Sequence, residues 1–206
     1  MRLTAINAGH SCVLHRGRRK ALRLLRFLPA ILLNGAAAPG HRYTIDTARS
    51  DVSAQVAFFG LASKTAHFPK VSGGITLSPD TPERIDLTVV LDATALTAPD
   101  RVTLQRLKGP KFFDVARHPA IVFTGTTMRL VGARDARVAG EITARGITRP
   151  AILHVQFSRP IGEDRRTSLA LVGATTIDRR DFGMTAYPFV VGRKVTIRMR
   201  VAMVPA

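Results

Sequence analysis

Apolar and polar side chains alternate in short runs from Val52 to Met203, and this period of two limits what the chain can fold into more than its composition does. Val52, Ala54, Val56 and Phe58 alternate with Ser53, Gln55 and Ala57. The pattern recurs at Val71-Gly73-Ile75-Leu77, Ile85-Leu87-Val89-Leu91, Ile121-Phe123, Val138-Gly140-Ile142, Leu153-Val155-Phe157, Leu169-Leu171 and Val195-Ile197-Met199-Val201-Met203. Successive side chains of a strand point to opposite faces, so each run reads as a strand with one apolar face. Turn-forming residues punctuate the runs at Ser78-Pro79-Asp80, Arg159 to Asp164 and Val191-Gly192-Arg193-Lys194. Two blocks in the last third, Gly140–Pro150 and Thr176–Met184, each join an alternating run to a Gly- or Asp-rich corner. The chain is therefore all-β with tight turns.

One segment departs from that period. Between Pro99 and Gly109, Leu104 and Leu107 lie three apart, with Asp100 near the start and Gly109 at the end, which predicts one short helix with an acidic N-terminus and a glycine stop. Gly109 to Asp114 then reads as a turn presenting the adjacent rings of Phe112 and Phe113. About eight antiparallel strands must close into a barrel or stack as a sandwich to bury their apolar faces. Alternation is the same in both. Aromatic residues are 6% of the chain, with no Trp, so the interior is aliphatic.

The net charge of +17 suggests an anionic partner, but its distribution weakens that reading. Residues 1–38 carry seven Lys/Arg and no acid, and the remainder holds 24 basic against 14 acidic side chains, scattered and without interleaved rings. Cys12 is the only cysteine and lies in the extension, so the folded part has neither a disulfide nor a thiol nucleophile. The six histidines, among them His118 and His154, have no metal-ligand spacing, and no Gly-x-Ser-x-Gly or phosphate loop occurs. Asp178-Arg179-Arg180-Asp181 reads as a corner whose opposite charges pair or hydrate. No catalytic constellation or cofactor motif is present, and the expectation is a non-enzymatic protein.

Residues 1–38 are expected to be separate from the domain at 39–206. Arg16 to Arg26, the apolar Phe27-Leu28-Pro29-Ala30-Ile31-Leu32-Leu33 and the small Gly35-Ala36-Ala37-Ala38 are the three parts of a secretory signal. The run is shorter than the ~20 residues that span a bilayer. Arg18-Arg19 also suits a twin-arginine route. The reading is export to the periplasm or outside the cell; the alternative is a disordered basic tail on a cytoplasmic protein.

From Tyr43 to Met203 the order of the pieces resembles the YceI-like family of exported bacterial lipid-binding proteins. The marks are Tyr43-Thr44-Ile45-Asp46, Asp51-Val52-Ser53, His67-Phe68 leading to Gly73, Asp100-Arg101, Leu107 to Asp114, His118 to Phe123 and the two blocks of the last third. The resemblance implies an eight-stranded antiparallel lipocalin-like barrel with one short helix. Its apolar tunnel would hold a polyisoprenoid or quinone-like lipid, without a metal or redox cofactor. The family often has Phe where Val56 stands, so the tunnel is expected to be wider there.

The wall of such a tunnel would come from the inward faces: Val56, Phe58, Ile75, Leu77, Leu87, Val89, Ile121, Phe123, Ile142, Val155, Phe157, Leu171, Ile197 and Met199. Phe112 and Phe113 cannot share one strand face, so one of them would close or gate a barrel end. Lys70, Arg101, Lys108, Lys111 and Arg145 are the candidates for a phosphate or quinone head. Burial contributes about 0.8 kcal/mol per methylene, so roughly fifteen carbons suffice for tight binding. The competing reading is a filled β core with a basic surface that binds nucleic acid or anionic membrane. Transient membrane contact is compatible with either, no specific nucleic-acid partner is expected, and the sequence leaves a homodimer open.

Overall fold

The computed structural model describes residues 41–77, 81, 83–161 and 167–206. The expected export segment 1–38 with Cys12, and the turns at 78–80 and 162–164, lie outside the described residues. The elements in chain order are β1 (His41–Phe58), β2 (Ala62–Phe68), β3 (Val71–Leu77), β4 (Arg84–Asp92), α1 (Arg101–Lys108), β5 (Ala120–Leu130), β6 (Asp135–Ala144), β7 (Ile147–Phe157), β8 (Leu169–Asp178) and β9 (Val191–Pro205). Short 3-10 turns follow β4 and β8.

All strands form one antiparallel sheet that closes where β1 pairs with β9. The nine segments make eight staves. β1 runs the barrel's length and meets β3 through its first residues (Tyr43 opposite Ile75) and β2 through its last (Val52 opposite Phe68), so β2 and β3 are one stave interrupted at Pro69-Lys70. Closure removes the free sheet edges that an open sheet of this apolar content would expose.

The alternation changes phase inside two strands, which the expected runs did not show. In β1 the buried residues are Tyr43 and Ile45 before the change and Val52 after it, an odd-to-even switch. The pairing with β9 slips between Asp46 and Asp51, and these bulged residues restore the apolar set to the inside. In β5, Ile121 and Phe123 face inward and so does Met128, with the slip between Gly125 and Thr127. The expected turn at Val191–Lys194 is a correction: β9 already begins at Val191, because the backbone there pairs with β1 and Lys194 with Asp178 of β8.

The corners are as tight as the glycines suggested. Arg145 and Gly146 connect β6 to β7 with φ of 52° and 72°, a two-residue hairpin that needs left-handed backbone at both positions. At Gly140, opposite Gly125, a Cβ would lie 2.2 Å from the Thr124 carbonyl oxygen, so the strands approach there only without a side chain. α1 forms where expected. Asp100 caps it by accepting from the Thr103 amide (2.8 Å), Gly109 ends it, and Leu104 and Leu107 face the barrel.

The barrel ends differ. One is filled by Tyr43, Leu77, Met128, Phe157, Leu169 and Met203, all in one buried cluster. At the other end lies a smaller cluster of Phe112, Ile142, Ala144, Phe182 and Met184.

Candidate functional site

The open end is framed by three segments: the β1–β2 hairpin, α1 with residues 109–113 after it, and the stretch from Arg179 into β9. Phe112 and Phe113 diverge as adjacent rings must. Phe113 meets Phe68 edge-on at 5.8 Å, and Phe112 stacks on Tyr187 at 6.2 Å, so one ring closes the inner wall and the other extends the rim.

Between these segments lies an apolar cavity of about 310 Å³. Ala54, Val56 and Phe58 of β1 form one wall, Val102 and Leu107 of α1 another, and Met184, Val190, Val191 and Val195 a third. A second cavity of about 40 Å³ lies further along the same inward faces, lined by Val52 of β1, Ile197 and Met199 of β9, and Val89, Ile121, Phe123 and Ile142. Its one polar lining side chain is the buried Thr175. The two succeed each other along β1 (Phe58, Val56, Ala54, then Val52) and β9 (Val191, Val195, then Ile197 and Met199), as a wide mouth over a narrow throat.

Few polar groups reach the mouth. Lys64 is on the inward face of β2, opposite Val56; its ammonium donates to Asp100 Oδ2 at 2.9 Å and sits 5.6 Å from the Phe58 ring. Hydrogen bonds from the Thr103 amide and then from Lys64 and the Thr103 hydroxyl hold the Asp100 carboxyl well below the usual carboxylate range. Asp100 therefore caps the helix and neutralises the inward lysine at once.

Arg179 is 3% exposed and, among the described residues, makes no ion pair. It donates to the carbonyls of Gly192 (2.9 Å), Val191 (2.8 Å) and Met184, sewing the third segment to the barrel. Burial pulls its pKa down, with the Asp178 charge opposing. Arg180 instead pairs outside with Asp178, as the charged corner suggested (3.1 Å). Above the mouth, Tyr187 has the Arg106 guanidinium at 5.4 Å and the Lys111 ammonium at 5.8 Å from its ring.

The structure sorts the expected wall residues into three places. Val56, Phe58, Phe112 and Phe113 line the mouth, and Val89, Ile121, Phe123, Ile142, Ile197 and Met199 line the throat. Ile75, Leu77, Leu87, Val155, Phe157 and Leu171 line neither; they belong to the buried cluster toward the end away from the mouth. Of the expected head-group cations, Lys111 also lines neither cavity but lies with its ammonium 5.8 Å from the ring of Tyr187, which does line the mouth. Lys70 sits outside near Asp92 (3.8 Å), and Arg101 and Lys108 line neither cavity. Arg145 is committed to the carbonyls of Gly183 (2.7 Å) and Pro110 (3.0 Å), which fixes the corner and takes it out of the candidate set.

Lys64, Arg106 and Tyr187 were not singled out from the sequence, and Arg179, expected to pair or hydrate at the charged corner, is instead buried on backbone carbonyls because the final segment folds over it. For Lys64 a signal existed: Ala62, Lys64, Ala66 and Phe68 share parity, so a lysine stands in an apolar row. Among the described residues, no group of three or more His, Cys, Asp or Glu side chains could hold a metal ion. His154 points outward, between the buried Leu153 and Val155. The arrangement can take up an apolar chain and leave a polar group at a cationic rim.

The model of the YceI-like domain matches residues 43–203. A UPF0312 protein of Ectopseudomonas mendocina is 22% identical over 168 residues, covering 77% of this chain and 86% of that protein. One from Pseudomonas syringae pv. tomato is 25% identical over 172 residues, covering 81% and 88%. Among solved structures, Burkholderia cenocepacia BcnA is similar with a TM-score of 0.68 at 18% identity, covering 77% of this chain and 98% of that one. A polyisoprenoid binding domain from Saccharophagus degradans, implicated in plant cell wall breakdown, has a TM-score of 0.61 at 16% identity, covering 80% and 98%.

Proposed function

The chain belongs to the YceI-like domain family, and from that premise we propose that it binds or ferries a long isoprenoid lipid, of polyprenyl phosphate or quinone type, without chemistry on it. The observation that carries this is the apolar mouth of about 310 Å³, with a smaller apolar cavity beyond it along the inward faces of β1 and β9. A binding cavity of a few hundred Å³ with few polar groups is the ordinary form of a small-molecule site. The similar fold of a polyisoprenoid binding domain supports the ligand class.

In this reading the prenyl chain lies along Val56, Ala54 and Val195 with its tip toward Met199, whose unbranched side chain adapts readily. The head stays at the rim, where Arg106 and Lys111 offer charge beside Tyr187. The protein acts in the periplasm or outside the cell, with residues 1–38 directing export.

Native mass spectrometry of the full chain made in a bacterial host, followed by organic extraction, tests this. A discrete mass excess yielding a prenyl lipid is expected. Protein that is apo and takes up neither polyprenyl nor quinone lipid on challenge refutes it. A second reading, a basic-surface binder, draws on Arg129 standing directly opposite Arg137 on the outer wall. It predicts binding to nucleic acid or anionic membrane that falls steeply with salt and leaves the cavity idle.

A further inference from the structure

We propose that the lips of the barrel mouth dock on the surface of an anionic lipid bilayer, with Phe59, Leu61 and Phe189 entering the headgroup layer. Phe59, Leu61 and Phe189 are 64%, 99% and 97% exposed, which is anomalous for large apolar side chains clustered at one end of a small barrel. They sit on two neighbouring tips, the β1–β2 hairpin and the segment before β9, held together by the Phe59 amide donating to the Val190 carbonyl (2.8 Å).

The backbone gives a second reason. Phe59 and Tyr187 take φ of 51° and 53°, left-handed conformations that bulky residues rarely adopt. Local strain that places a ring in solvent instead of in the core points to a task outside the fold. The Phe59 ring meets Phe58 edge-on at 4.7 Å, and Phe58 lines the mouth, so the exposed patch is continuous with the cavity wall. A lipid leaving a bilayer would meet apolar surface from the tip to the Phe58 wall of the mouth.

Charge selects the partner. The segments forming the mouth (57–66, 100–113 and 179–195) contain nine Lys/Arg against two acids, Asp100 and Asp181. Lys64 pairs with Asp100, and Arg193 lies 4.0 Å from Asp178, but Arg101, Arg106, Lys108 and Lys111 make no ion pair among the described residues. Rings at loop tips within a cationic collar match the interfacial mode of membrane binding, with apolar side chains reaching the acyl boundary and cations at the anionic headgroups. A second copy of the chain fits this surface poorly, because a two-fold contact would bring the same uncompensated cations face to face.

The proposal rests on reading the cavity as a lipid site, yet it fails separately from that reading. The chain has no Trp, so Phe189→Trp creates a single fluorescent probe at the tip. With the full chain, vesicles of phosphatidylcholine plus phosphatidylglycerol are expected to shift its emission to the blue, with quenching by brominated acyl chains. Vesicles of phosphatidylcholine alone are expected to do so far less. Phe59→Ser/Leu61→Ser/Phe189→Ser is expected to lower the vesicle partition coefficient on the order of 100-fold. Its uptake of a prenyl lipid presented from cyclodextrin should be unchanged, since none of the three lines the cavity.

A triple variant that partitions like the wild type overturns the proposal and assigns any binding to other surfaces, such as the basic residues of 16–26. So does indole emission from the Phe189→Trp protein that vesicles leave unmoved, or that moves with protein concentration alone, which would make the patch a contact between copies. Failure of cyclodextrin-delivered uptake with docking intact would refute the cavity reading and leave the docking surface standing.

Discussion

Filling the neck between mouth and throat should separate ligand binding from folding, and Ala54→Phe does this at one position. Ala54 faces inward on β1, opposite Ala66 of β2 and Ile197 of β9, and lines the mouth directly above Val52 of the throat. With two small side chains meeting across β1 and β2, the wall has room for a ring. A phenyl group there occupies space that about four methylenes of a bound chain would use. At about 0.8 kcal/mol per methylene the loss is about 3 kcal/mol, roughly two orders of magnitude in Kd. The ring enters open volume and not packed core, so the strain of overpacking, about 1–3 kcal/mol, does not arise and the melting temperature should hold. The assay is displacement of a fluorescent polyprenyl analogue, beside thermal unfolding followed by circular dichroism. Ala170→Phe, on the outward face of β8, is the matched control and should change neither. An Ala54→Phe protein that binds as tightly as the wild type would show that the lipid does not pass this neck. One that fails to fold would show that the neck is not open.

Gly140→Val should prevent barrel closure, because its Cβ would lie 2.2 Å from the Thr124 carbonyl oxygen and 2.8 Å from Gly125 Cα; soluble expression and the near-ultraviolet spectrum check this. Leu153→Ala, which empties a 3% exposed position at the junction of the main core and the throat, should cost about 2–5 kcal/mol in urea unfolding, with the m-value unchanged. Hydrogen bonding from Arg180 holds the Asp178 carboxyl down to about 2, below its ordinary 3.8. A depressed carboxylate contributes stability that is fully present above the ordinary value and is lost as pH falls toward the folded one. Asp178→Asn should therefore melt slightly lower at neutral pH and lose less stability between those two values, as read from melting temperature against pH; the exposed position of the Arg180 partner keeps the effect small.

Most of the barrel was legible because its signal is local. Strand faces at 71–77, 85–91, 138–142 and 169–171 follow from parity alone, and α1 from Asp100, the Leu104–Leu107 spacing and Gly109. The phase changes in β1 and β5 were not legible, since a bulge is a relation between two strands and leaves no fixed mark in either. The head-group candidates went astray for a similar reason. Arg145 and Lys111 look equivalent as exposed cations in the sequence, but Arg145 meets the carbonyls of Gly183 and Pro110, 38 and 35 residues away.

Residue order by itself determined that this chain is an antiparallel sheet with one capped helix, and which side chains share a face. Those properties depend on neighbours one to four positions apart. Only the tertiary structure decided that Ile75, Leu77, Leu87, Val155, Phe157 and Leu171 close one end while Val56, Phe58, Ile197 and Met199 border open space at the other. Alternation is identical in a filled and a hollow barrel. What distinguishes them is how far apart the walls are held, and that spacing is set by the bulges, by the α1 segment capped at Asp100, and by Arg179 tethering the final segment through the carbonyls of Met184, Val191 and Gly192.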